Sequence, residues 1–410
     1  MKIFQSLAPG RTFASLATPS FKVLWIAGWF WFLCRMMEML VMSWLVLDLS
    51  NSPSQVAIAG SIRMVPMLIL GPFGGVLADK IPKKRMMISL QFINLFAVLP
   101  MVGILAMDSI QLWHVYISTF VIGTGWAVDF STRRSYFSEV LPTEDVPNAV
   151  ALDAASFMAS AMLGPFLGGF FVAWFGFTWT YLIMGSFFLF SGLLLFGVEN
   201  TIPSKTSNSG MKLVSEIVEG VRIAKQNRIV WTVVIFTVAF NFFGFPYMQM
   251  VPVVAKEVLN VGPVRYGILG AAQGLGSLCG ALVIANRGVK REGSVFSLGG
   301  GLMLICIFFF ALSPIYSVSV LFVFIAGVGM AGFATMQTAM VLRSAPVETR
   351  GRAMGTVAMG IGASPVGILV VGFLAEKLGV QLALALLASV GVITVILLRW
   401  RFPVLRDKGL

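Results

Sequence analysis

Two arginines and a glutamate stand inside stretches that are otherwise apolar: Arg35 and Glu38 within 21–47, and Arg63 within 54–79. Charge in a hydrocarbon setting is costly, and where it is kept it usually serves an ion path, a proton path or a ligand. Arg35 and Glu38 are three residues apart, so on a helix they share a face. Glu38 lies nine residues before the end of its run at 47, and Arg63 nine residues after the start of its run at 54. At about 1.5 Å per residue, both sit about 13 Å from that end. The spacing predicts that Glu38 pairs with Arg63, with Arg35 or with both, in a cluster of net charge +1 when Glu38 is ionised. Two readings of such a cluster stay open. One is an ion pair that only holds two helices. The other is a proton-exchanging or substrate-competing acid beside an arginine left for a carboxylate or catecholate-like group. A site for lipophilic cations would show an unpaired acid, so the cluster leans to anionic or zwitterionic ligands.

Other chemistries lack their residues. No GxxxxGK(S/T) loop indicates ATP drive within the chain, and no GxSxG run or Cys/His pair supports hydrolysis. Cys34, Cys279 and Cys306 fall in apolar runs without metal-ligand spacing. The single histidine, His114, adjoins Trp113 at the start of a run, as an interfacial residue would. No enzyme, cofactor or metal site is expected. Asn241, Gln273 and Gln337 are further candidates for substrate contact, because a polar amide avoids lipid. Aromatic runs such as Phe240 to Phe245 suit the wall of a pocket for amphipathic molecules, although packing is the commoner use of any single ring.

The elements that position these residues follow from composition. Hydrophobic residues make up 58% of the 410 and charged ones 11%, against about 25% charged in a soluble domain. The 42 glycines suit closely packed transmembrane helices. Apolar runs long enough to cross a bilayer occur at 21–47, 54–79, 86–107, 111–131, 147–173, 178–197, 229–254, 264–286, 295–313, 316–341, 351–375 and 380–399. Lipid offers backbone groups no partners, so open chains cross it as helices. Residues 1–20 lack the apolar core of a cleavable signal, so the first run is expected to be retained. With both termini in the cytoplasm, 24 of the 29 lysines and arginines face inward. That count includes Arg133 and Arg134 as loop residues. Lys256, Arg265 and Lys377 face outward, and Arg35 and Arg63 lie within spans. The net charge of +12 thus reads as topology and contact with lipid headgroups rather than nucleic acid. A multi-pass protein of the cell membrane is expected, acting as a monomer.

The most hydrophilic stretch is 199–228. It opens as a linker, Pro203 to Gly210, and continues as an amphipathic helix from Met211 to Ile229 at the inner surface. It divides the chain into 1–198 and 229–410. The halves look related: Pro142-Thr143-Glu144 leads to Ala149 seven residues on, and Pro346-Val347-Glu348 leads to Ala353 at the same spacing.

Between the second and third runs stands Gly75-Val76-Leu77-Ala78-Asp79-Lys80-Ile81-Pro82-Lys83-Lys84-Arg85. This resembles the first signature of the major facilitator transporters, a Gly-x-Leu-Ala-Asp-Arg-x-Gly-Arg-Lys-like loop. In the fifth run, Gly164-Pro165-Phe166-Leu167-Gly168-Gly169 is similar to the signature of that family's antiporters. The stretch from Arg134 to Gly169, the opening Phe21 to Trp25 and the stretch Trp44 to Ser50 resemble its drug and siderophore exporter branch, which includes enterobactin-exporter-like and macrolide-efflux-like proteins.

The resemblance implies an all-α membrane protein with twelve transmembrane helices in two pseudo-symmetric six-helix halves and a site at their interface. It implies a cytoplasmic gate of Gly75, Asp79, Lys80, Lys83, Lys84 and Arg85. Asp79 would face the start of span eleven near Arg350-Gly351, where the helix dipole favours an anion, and Asp129 would join it. Pro82 and Lys80 depart from the usual glycine and arginine, which weakens such a cluster. Thr119 stands where many drug/proton antiporters carry an arginine four residues before a glycine, here Gly123, so coupling through that arginine is not supported. The reading reached is a secondary active exporter of small amphipathic, drug-like or siderophore-like molecules, with the proton as coupling ion. An importer of a small organic solute and a non-transporting, lipid-handling scaffold are the alternatives.

Overall fold

The computed structural model describes residues 13–142, 144–199, 213–346 and 349–407, with side chains except at 68–80, 130–131, 134, 213–219 and 351. Among the described residues the chain is helical nearly throughout and holds no strand. The helices of the first half are α1 (Pro19–Ser50), α2 (Pro53–Lys80), α3 (Lys83–Ala106), α4 (Leu112–Val140) and α5 (Val146–Leu195). Then follow α6 (Leu213–Gln226), α7 (Arg228–Phe243), α8 (Tyr247–Val253), α9 (Pro263–Arg287), α10 (Glu292–Leu312), α11 (Tyr316–Ser344), α12 (Arg350–Ile361), α13 (Ser364–Leu378) and α14 (Val380–Arg401).

Nine stretches among the described residues are long and apolar enough to cross a membrane. Gly176, at φ 75°, breaks α5 into two crossings, because that backbone conformation suits glycine alone. The helices α2 and α4, 28 and 29 residues long, also reach across, which makes twelve. One crossing is built from α7 and α8, joined at Gly244 to Pro246, and another from α12 and α13, where the helix restarts at Ser364 with Pro365 in its first turn. Proline lacks the amide hydrogen and is tolerated there.

Most of these helices are apolar on every side, so lipid-facing and buried faces differ in residue size rather than polarity. In α5 the buried positions run Ala149, Asp153, Ser156, Ser160, Gly164, Gly168 and Val172, three or four apart, while Leu163 and Phe166 are exposed. Small residues let backbones approach. Gly164 lies against Met36 and Gly168 against Met37 of α1. A methyl at Gly169 would overlap the Pro263 carbonyl of α9, and one at Gly267 would lie 2.5 Å from the Pro165 carbonyl. The proline-glycine motif of the fifth run therefore forms the α5–α9 crossing between the two halves. The other main crossing joins α2 to α13, where Gly372 lies against Ala57.

The amphipathic helix between the halves is α6. It docks on α12, with Gly220 beside Thr356 Oγ1 and the Arg352 carbonyl. The linker Pro203 to Gly210 lies outside the described residues, as do Thr143, Val347 and Glu348 of the repeated motif.

Candidate functional site

The ion pair between α1 and α2 forms as the depth arithmetic predicts. Glu38 Oε2 lies 3.2 Å from Arg63 Nη2, and the two side chains are 2% and 4% exposed. Arg63 Nη2 also donates to the Arg35 carbonyl at 3.1 Å. Gly123 lets α4 press on α2 here; a methyl on it would overlap the Arg63 carbonyl. Of the two pairings left open, only the one with Arg63 forms. Arg35 instead lays its guanidinium over Trp126 of α4, 4.0 Å from the ring centroid. No carboxylate lies within ion-pair distance of Arg35 among the described residues, and its Nε and Nη1 have no hydrogen-bond partner.

Beyond Trp126 the wall is aromatic. Trp126 stacks on Phe157 of α5 at 5.8 Å, and Phe32 of α1 meets Phe157 edge-on at 5.5 Å. The Arg133 guanidinium stands 5.3 Å from the Phe32 ring on the far side. Arg133 corrects the sequence reading. It is not a loop residue but a buried one inside α4, 2% exposed. It pairs with Asp129 at 3.3 Å and Asp153 at 3.7 Å and donates to the Leu24 carbonyl at 3.1 Å. A buried cation is tolerated only with such partners. Trp126, Asp129 and Arg133 follow one another at three and four residues, a spacing that puts them on one helix face. That signal was present in the sequence and the charge count obscured it.

In the second half, Asn241 and Gln337 come together through Thr237. Gln337 Nε2 donates to Thr237 Oγ1 at 2.7 Å, and Asn241 Nδ2 to the Thr237 carbonyl at 2.9 Å. Ser364 Oγ donates to Asn241 Oδ1 at 2.9 Å. Gln273 is not part of this group; its carbonyl lies against Gly327 of α11.

A family model described as transmembrane secretion effector matches residues 10–409. The chain belongs to that family of major facilitator transporters. It is a multi-pass membrane transporter, not an enzyme. It is similar to the MFS-type transporter YfiS of Bacillus subtilis, 24% identical over 85% of this chain and 86% of that one. It is also similar to Macrolide efflux protein A of Streptococcus pyogenes, 18% identical over 81% and 83% of the two chains. A POT family transporter crystallised with 5-aminolevulinic acid shares the fold, with a TM-score of 0.77 over 95% and 97% of the chains at 12% identity.

The transporter's two halves meet closely at the end that carries the α1–α2 loop. There Trp44 stacks on Tyr266 at 5.5 Å, and Ser61 Oγ donates to the Pro365 carbonyl at 3.2 Å. Lys256 Nζ reaches Asp48 Oδ1 at 3.3 Å and Asn51 Oδ1 at 3.1 Å. Glu376 of α13 accepts from Ser52 and Ser54. Ser43 Oγ lies 3.4 Å from Gln249 Oε1, a glutamine not among the predicted site residues.

The gate residues at the opposite end are used in part within the first half. Lys83 is buried and pairs with Glu139 of α4. Lys84 Nζ donates to the Phe196 carbonyl at 2.8 Å, and Arg85 is exposed. Asp129 turns to Arg133. The side chains of Asp79 and Lys80, and the surroundings of Gly75, lie outside the described residues.

Proposed function

We propose that the protein is a secondary active exporter of small amphipathic molecules that works by alternating access and takes protons in return. The observation that carries this reading is the Glu38–Arg63 pair, 3.2 Å apart and buried in the interior of the long helices α1 and α2. Glu38 is one of few groups at that depth whose charge a proton can remove. Protonation would end the attraction between α1 and α2 at that level and leave Arg63 with its bond to the Arg35 carbonyl. A step of one proton is thereby tied to the packing of two helices that a switch between access states must rearrange.

Export is favoured over import by the proline-glycine motif of α5 and by the likeness to a macrolide efflux protein. The excess of lysine and arginine at the terminal end favours cytoplasmic termini in the cell membrane. On that orientation the closed end is the outer one, and the described state opens inward. The working unit is a monomer of two halves, 1–198 and 229–410, tied by 199–228, with a small-molecule substrate and the proton as its partners.

The test is efflux from cells expressing wild type, Glu38→Gln or Glu38→Asp, with and without a protonophore, using dyes and carboxylate-bearing compounds. Protonophore-sensitive export that falls about tenfold or more in Glu38→Gln, in protein that remains folded, is the expected result. Unchanged export in Glu38→Gln would return the pair to a structural role. Uptake in place of efflux would reverse the direction.

A further inference from the structure

We propose that Arg35 and Trp126 form the seat for the transported ligand, and that this ligand is a flat aromatic monoanion, of which an aryl carboxylate is the simplest. The proposal deepens the export reading and rests on it only for the direction of travel.

Glu38 pairs with Arg63 at 3.2 Å, which leaves Arg35 with no carboxylate within ion-pair distance among the described residues. Arg35 sits at the middle of the 32-residue α1, far from either headgroup region. Its contact with Trp126 uses the flat face of the guanidinium, 4.0 Å from the ring centroid. The face offers no hydrogen bond, and the N–H groups project in the plane. Nε belongs to one in-plane edge and Nη1 to the other, and both lack a partner. An edge of this kind matches the two oxygens of a carboxylate, and a guanidinium already clamped on an aromatic face is preorganised for it.

The surroundings specify the rest of the ligand. Trp126 and Phe157 stack on each other and both remain half-buried, so they keep surface for a further ring. Phe32 backs them and is buried. A planar ring laid along this wall brings a carboxylate substituent to Arg35. Trp44 and Tyr266 close the bundle about 13 Å further along α1, so the seat is approached from the terminal end.

Binding is measured on the full chain in lipid nanodiscs, without any gradient, by calorimetry. The probes are 2-naphthoate, the neutral 2-naphthalenemethanol and acetate. Naphthoate should bind wild type at least about tenfold more tightly than either analogue, since only it offers both ring and charge. Arg35→Gln should lose about tenfold or more, Arg35→Lys less, and Trp126→Leu several-fold. Equal affinity for the alcohol and naphthoate, or for wild type and Arg35→Gln, would overturn the proposal. If Arg35→Gln does not purify as a folded protein, the comparison of the three probes on wild type still decides. Naphthoate that binds but never leaves cells would keep the seat and sink export. Protonophore-sensitive dye export without naphthoate binding would do the reverse.

Discussion

Glu376, two residues before the end of α13, accepts a hydrogen bond from Ser52 Oγ at 2.7 Å and a second from Ser54 N at 3.2 Å. Ser54 belongs to the first turn of α2, so a carboxylate from one half caps a helix of the other. A cap of this kind is worth about 1 kcal/mol, with a further contribution from the helix dipole. It exists only while the halves are closed at this end. Glu376→Ala should therefore shift the population toward opening here by roughly fivefold. Spin-label distances across the α1–α2 loop and the end of α13 would read the shift. Superimposable distance distributions for variant and wild type would refute it.

The α5–α9 crossing depends on the absence of a side chain. Gly169→Ala would drive a methyl into the Pro263 carbonyl, which is backbone and cannot swing away. A loss of about 1–3 kcal/mol is expected, seen as a lower melting temperature in detergent and slower transport. Gly103→Ala is the control. Nothing lies within 4 Å of a methyl there, and in a helix interior the change should stabilise by about 0.5–1 kcal/mol. If both variants melt alike, close approach at Gly169 does not matter.

Arg133 holds α1, α4 and α5 together through Leu24, Asp129 and Asp153. Arg133→Gln leaves two acids at a buried site with their cation gone, at a cost of about 3–5 kcal/mol. Poor recovery of monodisperse protein is expected, and adding Asp153→Asn should restore part of it. A variant as stable as wild type would show that the network carries no stability.

Ser364, at the break between α12 and α13, and Asn241 of α7 are both buried and bonded at 2.9 Å. Ser364→Ala leaves Asn241 Oδ1 without its donor, at a cost of about 1–3 kcal/mol. Combined with Asn241→Ala, the two losses should fall short of additive. Strict additivity in thermal melts would mean that the pair does not act as a unit.

Much of the architecture is legible in the sequence because it follows from solvent. Each long apolar run became a crossing, since lipid leaves the backbone no other arrangement. The helix rise, applied to residue spacing alone, places Glu38 and Arg63 at one depth. The choice between Arg35 and Arg63 as the partner of Glu38 is not legible. It depends on Trp126, 91 residues beyond Arg35, which holds the Arg35 guanidinium against α4. The burial of Arg133 and Lys83 is not legible for a related reason. Next to an apolar run, a cation buried against Asp129 or Glu139 looks the same in sequence as one facing water.

By itself the sequence determined the crossings, their depth scale, the charges that lie within them and the family signatures, all of which are properties of local composition and of rise per residue. Tertiary structure decided which half touches which at each end, which arginine pairs with Glu38 and which lies against Trp126. Helices apolar on every side carry no mark of the face they bury, and the contacts that select it join residues tens to hundreds of positions apart.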